Sequence, residues 1–211
     1  MATIALDISA NTHKNNWNYL KKMLDELKKV DTGKHEIIIK HQLFIKAGNN
    51  IPLNHEIFIR AYNYAKKLGY KTTSSVFDKY SLDFLMSFDI PFVKIANNRD
   101  LDWLIGEIPR KMPICVSFGS NQEIACCNLG NVQKLLCVSK YPCNIEDYNN
   151  TFFGMNYLVD SGYGLSDHTT NWDLFNEFNP DFIEVHYKLK NSTGLDAGEF
   201  ARTPKQLSEV L

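Results

Sequence analysis

The 211-residue sequence is short of several things, and each absence excludes something. Its five cysteines (Cys115, Cys126, Cys127, Cys137 and Cys143) are odd in number and contain no Cys-x-x-Cys pair, so neither a disulfide framework nor a thiolate zinc site is indicated. Charge of one sign is not in excess: 23 Lys plus Arg stand against 24 Asp plus Glu, leaving no basic field to attract nucleic acid or an anionic membrane. No apolar run approaches the roughly 20 residues that a bilayer-spanning helix needs. The first residues also lack a basic stretch followed by an apolar one and a cleavage site. These absences predict a cytoplasmic protein with a small-molecule ligand. The sequon Asn191-Ser192-Thr193 carries little weight without a secretion signal. Low complexity, composition shifts and Pro/Ser-rich linkers are lacking too. With 44% hydrophobic and 12% aromatic content, residues 1–211 can bury one substantial core, and one domain is expected.

What is present is alternation. Strand-like apolar stretches run Ile4 to Ile8, Glu36 to Lys40, Lys71 to Ser74, Phe92 to Ile95, Ile114 to Ser117, Lys134 to Val138, Tyr163 to Leu165 and Phe182 to His186. Between them lie helix-compatible segments near 15–29, 54–68, 80–88, 99–107, 120–128, 145–158, 171–178 and 203–211. The clearest carries Trp17, Leu20, Met23, Leu24 and Leu27 on one stripe, with lysines opposite. Boundary residues agree: Leu68-Gly69 and Leu129-Gly130 read as helix ends, Asp78 and Thr203-Pro204 as helix starts. Eight βα units in succession predict a single (β/α)₈ TIM barrel of near-minimal size, with a doubly wound open sheet as the alternative.

The strand ends carry residues that a packed core would not choose. His168 and His186 each stand where an apolar run turns polar, which in a parallel barrel puts both at the carboxyl-end face, where such folds build active sites. The pair reads as a metal site, although either histidine alone also reads as a hydrogen-bonded structural residue. Lys40 and Lys94 lie within apolar strands and are costly to bury without an anion, so two aimed at one cavity suggest a doubly charged ligand. His13, His35, His41 and His55 are expected on the surface or in loops, with His41 the exception if any. Cys115 and Cys137 are expected to act as small buried hydrophobes.

Ser74-Ser75-Val76-Phe77-Asp78, Pro91-Phe92-Val93-Lys94-Ile95-Ala96, Tyr141-Pro142, Gly164-Leu165-Ser166-Asp167-His168-Thr169 and Glu184-Val185-His186-Tyr187 together carry a resemblance. The chain resembles the sialic acid (N-acetylneuraminate) synthase family, (β/α)₈ enzymes that condense phosphoenolpyruvate with an N-acyl sugar. The resemblance implies His168 and His186 as ligands of a divalent metal, Mn²⁺ or Mg²⁺. Lys40, Lys94 and Tyr141, with Ser75 and Ser117, match positions that hold phosphoenolpyruvate; Gln42, Phe77 and Asp196 match positions near the amino-sugar or aldose. Asp7 matches the acidic residue after the first strand, and with Lys40, Lys94 and Tyr141 it completes the implied catalytic set, as general base toward water. Asp167 is expected to orient His168 or cap the next helix.

The chain departs from the family pattern in places. Asp7 replaces the usual glutamate, Asn97, Asn98 and Arg99 follow Ala96 where a serine and an acid are usual, and Val76 and Ser139-Lys140 replace other common residues. Arg99 is expected to reverse the sign of one sugar-side contact. The family's C-terminal antifreeze-like domain is not expected in this chain, while a homodimer is an assembly the resemblance implies. Two other readings stay open: a 3-deoxy-sugar-acid synthase or metal-dependent aldolase on the same barrel, and a non-catalytic descendant that binds sugar or phosphate.

Overall fold

The computed structural model describes residues 1–126 and 132–211. Eight parallel strands close in sequence order: β1 (Thr3–Asp7), β2 (Glu36–Leu43), β3 (Lys71–Val76), β4 (Val93–Ile95), β5 (Ile114–Phe118), β6 (Val132–Cys137), β7 (Gly164–Asp167) and β8 (Phe182–His186). Closure is made by β1, which pairs with β2 on one side and β8 on the other. The barrel is therefore the fold, and the open sheet is excluded.

Because successive strand residues face opposite sides, the sheet feeds two cores. Ile4, Leu6, Ile37, Ile39, Val93, Ile95, Val116, Leu136, Leu165, Ile183 and Val185 pack outward under the helices. Ala5, Ile38, Phe92, Cys115, Leu135 and Phe182 meet in a separate cluster on the barrel axis. Burial pushes the Cys115 thiol up to about 12 and Cys137 to about 11, so both stay protonated and act as apolar filler.

The outer layer begins with a short α1 (Ala10–His13), capped by Ser9, and continues in α2 (Trp17–Val30), which buries Leu20, Met23, Leu24 and Leu27. α3 (His55–Lys67) ends before Gly69, whose positive φ of 91° suits glycine. α4 (Lys79–Leu85) starts on the predicted Asp78 cap. A 3₁₀ helix (Arg99–Glu107), α5 (Asn121–Cys126), α6 (Ile145–Thr151), α7 (Met155–Asp160), α8 (Asp173–Phe178) and α9 (Pro204–Leu207) follow. Leu129-Gly130 and the end of the helix expected over 120–128 lie outside the described residues.

Three expectations are corrected. The segment 145–158 is two helices rather than one, because Gly154 sits at φ 77°, a left-handed conformation that interrupts the helical path. The strand expected to stop at Lys40 runs on to Leu43, which places Gln42 in the ladder opposite Ser75. His13 and His41 are not surface residues: both are buried, with the His41 Nδ1 2.9 Å from the Ile8 carbonyl and its ring against Phe58. His41 alternates with Lys40 and Gln42 and so faces the helices, away from the axis.

Candidate active site

The polar interior follows from the apolar one by counting two residues along each strand. Above Ala5, Ile38, Phe92, Cys115, Leu135 and Phe182 come Asp7, Lys40, Lys94, Ser117, Cys137 and Glu184, and all six line one carboxyl-end pocket of about 260 Å³. Gln42, Ser75, Phe77, Tyr141, His168, His186 and Asp196, also named from the sequence, line this pocket as well and join the lower layer. Ser166, Ser139, Ala96, Asn97 and Asn98 complete it.

Glu184 was missed as a site residue, and it changes the electrostatics. The Lys40 Nζ lies 2.8 Å from Asp7 and 3.4 Å from Glu184, and the Lys94 Nζ lies 4.0 Å from Glu184. Lys40 also donates to the Ser75 hydroxyl at 3.0 Å, and Lys94 to the Ser117 hydroxyl at 2.7 Å and the Ile95 carbonyl at 2.8 Å. Ser166 donates to the other Glu184 oxygen at 3.0 Å. Burial alone would lower the Lys40 pKa, but Asp7 and Glu184 outweigh it and raise it. Burial alone would likewise raise Glu184, yet the two lysines hold it well below the usual carboxylate range. The fold thus supplies both lysines with internal counter-ions.

His168 and His186 come together as expected, with ring centroids 5.5 Å apart. The His168 Nδ1 lies 2.8 Å from the Val138 carbonyl, a geometry that places the proton there and leaves the Nε2 lone pair free. Burial, reinforced by His186, lowers the His168 pKa to about 3, so this imidazole is neutral and fit to donate to a metal. The buried Nδ1 of His186 has no hydrogen-bond partner, lying 3.8 Å from Asp7 and 3.7 Å from Asp196. Among the described residues no group of three or more His, Cys, Asp or Glu side chains is arranged to hold a metal ion. The donor types fit a divalent metal held by two imidazoles, with its remaining positions left to water and substrate oxygens. The half-exposed Tyr141 belongs to this edge, its ring 4.1 Å from His168 and 5.0 Å from Phe200.

Asp196 reaches the pocket on a loop that docks on α1. It accepts from the Ser9 hydroxyl and, at 2.6 Å, from Asn11 Nδ2, and its pKa is lowered: burial pushes up, but the nearby His186 and these hydrogen bonds prevail. The docking depends on Gly194, whose φ is 131° and where an added Cβ would run into the Asn11 carbonyl. Gly194→Ala is expected to cost about 1–3 kcal/mol of unfolding free energy from backbone strain. Urea titration checks this; an unchanged midpoint would mean the loop is free to move off α1.

Two further expectations are corrected. Arg99 is not at the pocket: it donates to the Ser117 carbonyl at 2.7 Å, pairs with Asp102 at 3.2 Å and lies over the Phe118 ring. Asn97 and Asn98, which carry no charge, line the cavity instead. Of the two roles expected of Asp167, capping α8 is not seen, because its N-cap is Trp172; Asp167 accepts from the Thr169 amide at 2.7 Å and forms a fully buried ion pair with Arg202 at 2.7 Å.

Fold and pocket together define the class: a (β/α)₈ barrel with a polar, ion-paired site at its carboxyl end, the position from which barrel enzymes work. The profile of the NeuB family matches residues 16–211, and the chain belongs to that family. It is similar to the pseudaminic acid synthase of Helicobacter pylori, 30% identical over 167 residues that cover 72% of this chain and 48% of that one. The chain thus spans about half the length of that curated relative. In fold it is similar to the N-acetylneuraminic acid synthetase of Leptospira borgpetersenii, with a TM-score of 0.78, 21% identity and coverage of 98% of this chain and 80% of that one. The phospho-2-dehydro-3-deoxyheptonate aldolase of Thermotoga maritima shares the fold at a TM-score of 0.69 and 10% identity, covering 99% of this chain and 66% of that one.

Proposed function

We propose that the chain condenses phosphoenolpyruvate with an unphosphorylated N-acyl hexosamine or related aldose, giving a nonulosonic acid of the sialic type and inorganic phosphate. The observation that carries this reading is the pair of buried ammonium groups, Lys40 and Lys94, each backed by a serine and set beneath two imidazoles. Lys40 and Lys94, with Ser75 and Ser117, hold the phosphate and carboxylate of phosphoenolpyruvate. As carbon 3 bonds to the acceptor's aldehyde carbon, water adds to carbon 2 and the carbon–oxygen bond to phosphate breaks. Asp7 accepts the water proton at Oδ1, the oxygen left without a partner while Gln42 donates to Oδ2 at 2.8 Å. Mn²⁺ or Mg²⁺ held by His168 and His186 would supply Lewis-acid polarisation of the aldehyde oxygen. Gln42, Phe77 and Asp196 surround the acceptor.

Charge favours this acceptor over a sugar phosphate. Lys40 and Lys94 are the cationic side chains that line the pocket, Arg99 is turned away, and Asn97 and Asn98 offer only neutral amides. Among the described residues that line the pocket, a second phosphate would find no further counter-ion.

The test is phosphate release from phosphoenolpyruvate with Mn²⁺ across N-acyl hexosamines, run beside arabinose 5-phosphate and erythrose 4-phosphate. Turnover confined to the sugar phosphates would overturn the acceptor assignment. Metal content gives a separate prediction: wild-type protein dialysed against Mn²⁺ retains it, and a His168→Ala, His186→Ala protein does not. Equal content in both would sink the ligand assignment.

No helix among the described residues is long and apolar enough to cross a membrane.

A further inference from the structure

Arg202 is the largest side chain that the fold buries completely, and its guanidinium is spent on the chain around the two histidines. One terminal nitrogen donates to the carbonyls of Thr169 and, at 2.9 Å, Phe200; the other donates to Asp167 at 2.7 Å, to the Thr169 hydroxyl at 3.2 Å and to the Asn171 carbonyl. The backbone is committed as well, since the Arg202 amide donates to the His186 carbonyl at 2.7 Å and its carbonyl accepts from Lys188 at 2.9 Å. One residue thus joins three pieces of chain: the turn that carries His168, the segment that carries Phe200, and the end of β8 that carries His186. Phe200 is the wall these pieces share, edge-on to His186 at 5.0 Å and to His168 at 6.3 Å.

We propose that Arg202 is a positioning residue that sets the spacing and orientation of His168 relative to His186, acting through Asp167 and Phe200. Hydrophobic packing alone would bury Phe200, but it would not fix the registry of two loops from different strands. A planar fork whose two terminal nitrogens bond to a carboxylate and to carbonyls on both loops does so. The inference rests on the reading of His168 and His186 as metal ligands, and it adds the residue that presents them.

Two variants test it. Arg202→Lys keeps a positive charge opposite Asp167 but cannot span Asp167, Thr169 and Phe200 at once. Phe200→Leu leaves the Asp167–Arg202 pair intact and removes the shared wall. In each, Mn²⁺ affinity measured by electron paramagnetic resonance is expected to fall roughly tenfold or more, as for residues that orient metal ligands elsewhere. In the metal-free proteins the ring-nitrogen resonances of His168 and His186 are expected to shift, while those of His41, on the outer face of β2, stay in place. Wild-type Mn²⁺ affinity in a folded Arg202→Lys protein overturns the inference, as it does in Phe200→Leu if the lysine variant fails to fold. Movement of all three histidines together overturns it as well, since that marks general loosening. Mn²⁺ binding that survives His168→Ala, His186→Ala overturns the metal reading and this inference with it. Metal lost in the histidine pair but kept in both test variants overturns this inference alone.

Discussion

Glu184→Gln is expected to lower the unfolding free energy by about 3–5 kcal/mol, the usual cost of leaving a buried charge without its partner. Lys40 keeps Asp7 at 2.8 Å and survives the change. Lys94 does not, because its other partners, the Ser117 hydroxyl and the Ile95 carbonyl, are neutral and Glu184 is the carboxylate within ion-pair distance. Glutamine keeps the size of the side chain and an oxygen to accept from Ser166, so the loss isolates charge from packing. The pocket also changes sign. Three carboxylates (Asp7, Glu184 and Asp196) face two ammonium groups (Lys40 and Lys94) in the wild type, and the substitution leaves two against two. Anions should therefore bind the variant better, and inorganic phosphate or phosphoenolpyruvate should return part of the lost stability in proportion to RT ln(1 + [L]/Kd). Urea titrations with and without phosphate measure both effects. A loss below about 1 kcal/mol, in the range of exposed pairs, would mean that water reaches Lys94. Adding Lys94→Met to the variant removes the orphaned charge and is expected to recover most of the stability.

The same residue marks where the sequence was legible and where it was not. The barrel was readable because eight β-rich runs alternate with amphipathic segments and because Asp78, Gly69 and Thr203-Pro204 punctuate them with real caps. The pocket was readable because a lysine inside an apolar strand is costly, and motifs at the strand ends agreed with it. Glu184 was hidden by its neighbours. It lies within a run that reads as one motif, and its character shows only when Phe182, Glu184 and His186 are taken as one face with period two. Once His186 is placed on the axis, Glu184 must follow. Arg202 had no such signal: its partners Asp167, Thr169 and Phe200 are brought to it by the return of the chain after β8, which no local pattern encodes. Arg99 misled for the opposite reason. Its position in the sequence after Ala96 suggested the cavity, but the 3₁₀ helix that begins there turns its guanidinium onto the Ser117 carbonyl and Asp102.

Acid is expected to unfold the metal-free chain in two separable stages, and the first belongs to the buried histidines His13, His41 and His168 rather than to the carboxylates. Burial, then the neighbouring His41, lowers His13 to about 3; burial lowers His41 to about 4, with Lys40 adding to the effect against the Ile8 hydrogen bond; and His168 stands at about 3. Both ring nitrogens of His13 and the Nε2 of His41 lack partners, so a proton on either ring would arrive in an apolar layer with nothing to receive it. In the unfolded chain each ring takes a proton near its ordinary value of about 6.5. The unfolded state therefore binds more protons than the folded one at any pH between the folded values and about 6.5, and stability must fall as pH falls through that window. Each histidine contributes about 1.4 kcal/mol per pH unit, so the three together remove several kcal/mol by pH 4.5, a large share of the 5–15 kcal/mol typical of a folded domain. Glu184 and Asp196, both lowered in the folded state, act in the same direction only below the ordinary carboxylate range, as pH falls from about 4.5 toward their folded values. Unfolding free energies measured by urea at half-unit steps from pH 7.5 to 4 should give a slope near three protons in the metal-free chain. His13→Gln should reduce that slope by about one proton, while Glu184→Gln should leave it unchanged above pH 5. A flat profile between pH 6.5 and 4.5 would show that all three rings reach water.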